Sequence, residues 1–245
     1  MLNYPKSTLY SLILTAFLFV MLTGCDFKNH GKTDAVIEID LTQQGKTLSL
    51  DMYGAAIKGT NPVSRIQNKT TISAVNPETG TLHVALTEAA FLIGMERNAK
   101  AVKITSDSIR AYKTPSYYAI KLFAENKPDK VMPTKVTPEL VYATAGIQEK
   151  AGFVIIKLVN LSNTPKVCKI ILKYRQQIKY KGEAYVMTSG SIMDENSLKD
   201  PEKIVPMTKE LKGLKNTFNY ECPANSIVII KLRYKKRIIG NGNCC

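Results

Sequence analysis

Apolar and polar residues are distributed along this chain in several distinct patterns, and each predicts a different element. Residues 9–22 (LYSLILTAFLFVML) form an unbroken apolar run. Residues 35–41 (AVIEIDL) place Ile37, Ile39 and Leu41 on one face and Glu38 and Asp40 on the other, which is the period of a half-buried strand. Thr47 to Met52 predicts a second strand. Residues 61–80 are polar and turn-rich, with Asn61-Pro62 and Asn76-Pro77 as breakers. Leu82, Ala85, Leu86, Ala89 and Ile93 then follow 3.6-residue spacing, so a helix is expected over 81–97. Val102 to Thr105 reads as a short strand. Thr114-Pro115 is an N-cap followed by proline at the first helical position, opening a helix that runs to about Asn126 before Pro128.

From about Lys130 the period falls from 3.6 to 2. Strands are expected at 139–144, 152–159, 166–174, 183–188, 217–221 and 225–233, separated by turn signals such as Asn163-Thr164-Pro165 and Cys222-Pro223-Ala224-Asn225. This succession predicts an antiparallel sandwich. Residues 235–245 (KKRIIGNGNCC) lose the alternation and read as a tail.

The apolar run at 9–22 is short of the roughly 20 residues a spanning helix needs, and Lys6 precedes it, as in a signal peptide. It ends in Leu22-Thr23-Gly24-Cys25, which resembles a bacterial lipobox. Cleavage there would leave an acylated Cys25 at the new N-terminus. The expected location is therefore the bacterial cell envelope, with a membrane partner engaged through the lipid. The chain then divides into a signal peptide (1–24), a tether (25–35), N-terminal strands of the sandwich with the start of a barrel (36–61), a residual barrel segment (62–128), a C-terminal sandwich (129–234) and a tail (235–245).

Composition changes the picture little. The chain has 245 residues, 44% of them hydrophobic, so it can bury a core. Its net charge of +14 would ordinarily suggest nucleic acid. Here the lysines alternate with apolar residues on strands, as in Val167-Cys168-Lys169-Ile170-Ile171-Leu172-Lys173, which is the pattern of a solvated sheet face. No nucleic-acid partner is expected; a weak attraction to anionic headgroups or acidic polysaccharide fits better. Two isolated histidines make a His-built metal site unexpected, and neither metal nor cofactor is called for.

Six segments resemble family-51 α-L-arabinofuranosidases, among them Cys222 to Leu232, which is similar to that family's closing "PPYSLTVLRL". Residues 86–98 (LTEAAFLIGMERN) are similar to that family's "LAEAAFLTGLERN" helix, and 114–126 (TPSYYAIKLFAEN) to its "TPSYYVQKLFSEN". Residues 154–160 (VIIKLVN) resemble "VIVKVVN", 195–201 (ENSLKDP) resemble "ENSLENP", and 48–61 resemble its "ISPTLYGIFFEDIN" opening. The resemblance extends over most of 36–233. It implies a (β/α)8 barrel followed by a β-sandwich that recruits the N-terminal strand. It also implies retaining release of terminal arabinofuranose from arabinan or arabinoxylan, part of L-arabinose metabolism, with plant-type polysaccharide as substrate. Such a mechanism needs two carboxyl groups about 5–5.5 Å apart.

The chain departs from that family where the chemistry sits. Only residues 62–80 separate the opening segment from the first helix, whereas a closed barrel takes at least about 200 residues. No Asn-Glu pair occurs in 62–80 to match the family's acid/base, the nucleophile position falls near Ile72, and Lys58-Gly59 replaces its "ED" pair. No catalytic residue is assigned. The fold expected is mainly β with about two helices: an antiparallel sandwich with a remnant of a barrel that does not close.

Other candidate residues have bland readings. Glu88 and Glu96, eight apart, lie about 12 Å along a helix axis and read as surface or capping carboxylates; Glu78 is the nearest carboxylate to the vacated nucleophile position. His83 reads as a helix-face residue and Cys168 as a buried inert thiol. Cys222 could meet another cysteine in an oxidising envelope, and Cys244-Cys245 read as chance tail sequence, with an exposed redox or metal pair as the alternative. Tyr117 and Tyr118 could stack on sugar, with packing the better reading. Three functions stay open: an inactive lipid-anchored remnant of an arabinofuranosidase, a carbohydrate- or partner-binding envelope lipoprotein, and an active arabinofuranosidase with a rebuilt site.

Overall fold

A computed structural model describes residues 32–48, 70–73, 81–98, 102–105, 113–174 and 178–234. The elements are β1 (Ala35–Asp40), β2 (Lys46–Thr47), β3 (Thr70–Ser73), α1 (Leu82–Arg97), β4 (Val102–Thr105), α2 (Pro115–Glu125), β5 (Lys130–Met132), β6 (Thr134–Thr137) and β7 (Tyr142–Gln148). They continue with β8 (Phe153–Asn160), β9 (Lys166–Lys173), β10 (Ile178–Thr188), β11 (Met207–Lys212), β12 (Thr217–Cys222) and β13 (Ser226–Tyr234).

Two sheets face each other. The smaller has the order β12-β9-β1-β6 and the larger β11-β10-β13-β8-β7-β5-β2. Their shared core is built from alternate residues: Ile37 and Ile39 of β1, Cys168, Ile170 and Leu172 of β9, and Ile156, Leu158, Val228 and Ile230 of the larger sheet. A second core lies on the other face of the larger sheet, where Ile155, Val159, Ile227 and Ile229 meet Leu82, Leu86, Leu92, Ile93 and Phe123 of the two helices. The larger sheet is thus covered on both faces. That explains why β8 and β13 are buried almost continuously, whereas β9, with one face in water, alternates and exposes Lys169 and Lys173.

The N-terminal strand joins the sandwich as expected, but not by an antiparallel path on both sides. β1 pairs antiparallel with β6 and parallel with β9. Its start is fixed by the Asp34 N–H donating to the Val167 carbonyl at 2.9 Å, and by the Val167 N–H donating to Asp34 Oδ2 at 2.8 Å.

A small parallel unit lies in the segment where the barrel remnant is expected. β3 and β4 pair in parallel with α1 between them, and α2 follows β4. These are two β–α repeats, forming a two-stranded sheet that does not close. Most strand expectations hold within a few residues; the one from Thr47 to Met52 lies outside the described residues beyond Leu48, and there are two exceptions. The strand expected at 139–144 lies at 142–148, because Leu140 precedes it in a turn whose N–H bonds the Pro138 carbonyl. β5, β6 and β11 were not legible: the first two are short and split by Pro133, and β11 is an edge strand exposed on both faces except at Leu211.

Candidate functional site

The residues singled out by the family-like motifs converge where α1, α2 and the 189–206 loop meet the larger sheet. α1 begins at Thr81, whose side chain makes no capping bond. Its orphan first-turn N–H groups are satisfied by the loop: Leu82 donates to the Asp194 carbonyl at 2.8 Å and His83 to the Ile192 carbonyl at 2.9 Å. Asp194 shapes that loop by accepting from Lys203 Nζ (2.7 Å), the Ser191 N–H (3.2 Å) and Ser189 Oγ. The Lys203 and Ser189 hydrogen bonds hold its carboxyl below the ordinary value. Asn196, 1% exposed, is the loop's anchor. Its Nδ2 donates to the carbonyls of Lys113 (2.8 Å) and Ile204 (3.0 Å), and its Oδ1 accepts from the Ile204 N–H (2.8 Å). The 189–206 loop therefore caps α1 through Ile192 and Asp194, and Asn196 of its ENSLKDP segment ties it to the entrance of α2. α2 itself starts as expected, with Thr114 Oγ1 accepting from the Tyr117 N–H at 3.2 Å and Pro115 in the first turn.

Glu96 is not a surface carboxylate. It falls on the stripe of Ala89, Leu92 and Ile93, at spacings of seven, four and three, and is 0% exposed. Its Oε1 lies 2.5 Å from Nζ of Lys157, which sits mid-strand in β8 with its side chain 1% exposed. Lys157 Nζ also donates to the Phe123 carbonyl at 3.1 Å and stands 4.4 Å from the Phe123 ring centroid. One cation thereby joins α1, α2 and the sandwich. Burial pushes Glu96 up and Lys157 down; their mutual attraction opposes both shifts. Sequence reasoning missed Lys157, although a single lysine within the apolar run VIIKLVN was the signal: a fully buried lysine requires a partner.

Glu88 is buried too, against the expectation of a surface position. Burial raises its pKa, a Ser116 hydrogen bond at the start of α2 opposes that, and its Oε2 has no hydrogen-bond partner. Neither helix carboxylate is placed to act on a solvent-borne substrate. His83 is exposed on the first turn of α1, as expected. Tyr118 packs against the helix core, but Tyr117 is 42% exposed, with the two rings edge-to-face at 5.4 Å. Cys168 and Cys222 are free, fully buried thiols, each pushed up to about 12 chiefly by burial. Ile72 is the penultimate residue of β3. Cys25, Lys58, Gly59, Glu78, Cys244 and Cys245 lie outside the described residues. Among the described residues, no group of three His, Cys, Asp or Glu side chains could hold a metal ion, and no helix is long and apolar enough to cross a membrane.

Residues 104–226 match the α-L-arabinofuranosidase C-terminal domain. Two Arabidopsis thaliana proteins are similar: α-L-arabinofuranosidase 1, 27% identical over 175 residues, and α-L-arabinofuranosidase 2, 28% identical over 165. The matches cover 60% and 58% of this chain but only 26% and 24% of those proteins, so the chain spans about a quarter of its plant relatives. Among solved structures, an arabinose-bound GH51 α-L-arabinofuranosidase superposes with a TM-score of 0.58 at 25% identity, covering 64% of this chain and 28% of that one. The Thermotoga maritima α-L-arabinofuranosidase arabinose complex gives 0.55 at 16% identity, covering 66% and 41%, and shares the fold.

Proposed function

This chain belongs to the family of the α-L-arabinofuranosidase C-terminal domain, and we propose that it is a truncated, lipid-anchored member of that family, held in a bacterial envelope at Cys25 and without hydrolytic activity of its own. The observation that carries this reading is the size of the barrel remnant. The described residues of 70–125 hold two β–α repeats where a closed barrel has eight. Residues 49–69, outside the described set, are too few for six more repeats at roughly 25 residues each. A retaining pair must be held at a fixed spacing by a rigid frame, and here Glu88 and Glu96 serve packing between helices and sheet.

The test is turnover of 4-nitrophenyl α-L-arabinofuranoside by the purified chain. No hydrolysis above the uncatalysed rate is expected. Turnover that disappears in Glu78→Gln would overturn the proposal in favour of a rebuilt site.

A further inference from the structure

Among the described residues, nine large hydrophobic side chains are exposed, and seven of them lie at one end of the sandwich. The sheet registers define that end. Tyr142 pairs with Val159, with Leu140 in the turn just before it and Leu161 just beyond β8; Tyr142, Leu140 and Leu161 are 50%, 45% and 40% exposed. Ser226 pairs with both Asn160 and Thr188, and Met207 with Val186, so the loop joining β10 to β11 belongs to the same end. That loop contributes Ile192, Met193 and Leu198, and Met207 follows it; Met193 and Leu198 are 69% and 74% exposed. The opposite end, with the turns at 41–45, 149–152 and 213–216, carries none of the nine.

The chain enters the sandwich at the apolar end. Because β1 runs parallel to β9, with Ala35 opposite Cys168, its first residue stands beside the 161–165 turn. Eight residues lie between Cys25 and Asp34, so nine steps of the chain span at most about 30 Å fully extended. We infer that this end of the sandwich rests on the phospholipid bilayer, with the side chains of Leu161, Met193 and Leu198 entering the headgroup–acyl boundary. The inference rests on the proposed Cys25 anchor and goes beyond it: an anchor alone leaves orientation free. The short tether brings this end closest to the lipid. Isolated Leu, Ile and Met side chains on loop tips suit shallow insertion of about 5–10 Å. Charge does not drive the contact. The 189–206 loop carries Asp194, Glu195, Asp200 and Glu202 against Lys199 and Lys203, so insertion of this loop, unlike the weak headgroup attraction expected of the basic chain as a whole, should be insensitive to salt and need no anionic lipid.

The experiment uses the full chain in phosphatidylcholine vesicles, with Cys244 and Cys245 replaced by serine and a bimane attached through cysteine at position 193, 198 or, on the opposite end, 216. The buried native thiols stay unlabelled. Mass spectrometry of the Cys25 peptide reads the anchor separately. With the acyl group present, bimane at 193 and 198 should be quenched severalfold more by nitroxide-bearing lipid than bimane at 216, equally at low and high salt. Met193→Glu with Leu198→Glu should abolish quenching of a probe at 161 while the chain stays vesicle-bound. An acylated, bound chain with equal quenching at both ends overturns the inference and leaves the anchor standing. An unacylated Cys25 overturns the anchor and the orientation with it.

Discussion

Removing either member of the Glu96–Lys157 pair should damage this fold more than removing both. Lys157→Met deletes the cation and strands a carboxylate that has no exposure to water; it also takes the donor from the Phe123 carbonyl. Breaking a buried pair on one side costs about 3–5 kcal/mol. Glu96→Leu leaves an ammonium buried between α1, α2 and β8, with a cost of similar size. The double variant Lys157→Met/Glu96→Leu replaces the pair by apolar groups of comparable volume and should return to within about 1 kcal/mol of the parent, since such replacements are commonly neutral or stabilising. The chain has no tryptophan, so urea unfolding is best followed by circular dichroism. The double-mutant cycle then gives the coupling directly, provided the m-values agree. Single variants costing under about 1 kcal/mol, the range of exposed pairs, or a double variant equal to the sum of the singles, would refute the view that this pair bolts the helices to the sandwich.

Two further outcomes are expected. Glu88 has a folded-state pKa raised above its unfolded value, chiefly by burial, so its contribution is fully present below the unfolded pKa and is lost as pH rises through the folded one. Glu88→Gln should therefore be more stable than the parent at neutral pH and lose the decline in stability that begins above about pH 4.5, read from urea midpoints across pH. Asn196→Ala strands the Lys113 and Ile204 carbonyls and the Ile204 N–H; at roughly 1–3 kcal/mol for a buried group left unpaired, it should cost about 3 kcal/mol overall and speed amide exchange of Leu82 and His83, whose N–H groups the loop caps.

Local chemistry made part of this protein legible from its sequence. The proline after Thr114 and the 3.6-residue stripe of 82–93 set both helices to within a residue or two, because caps and periodicity act over a single turn. The alternation in β1 and β9 survived because each has one face in the core and one towards water. The family-like segments were equally visible, since motifs such as ENSLKDP are contiguous. Tertiary structure decided the rest. Whether β8 and β13 alternate depends on what covers their second face, and only the docking of α1 and α2 supplies that cover. The parallel seating of β1 beside β9 is a partnership between residues some 130 positions apart, which no local pattern encodes. Edge strand β11 had no buried face to mark it. Glu96 and Lys157 each looked like an ordinary charge in sequence; they became a joint because two elements 61 residues apart fold over one another, and two charges excluded from water are stable only when they meet.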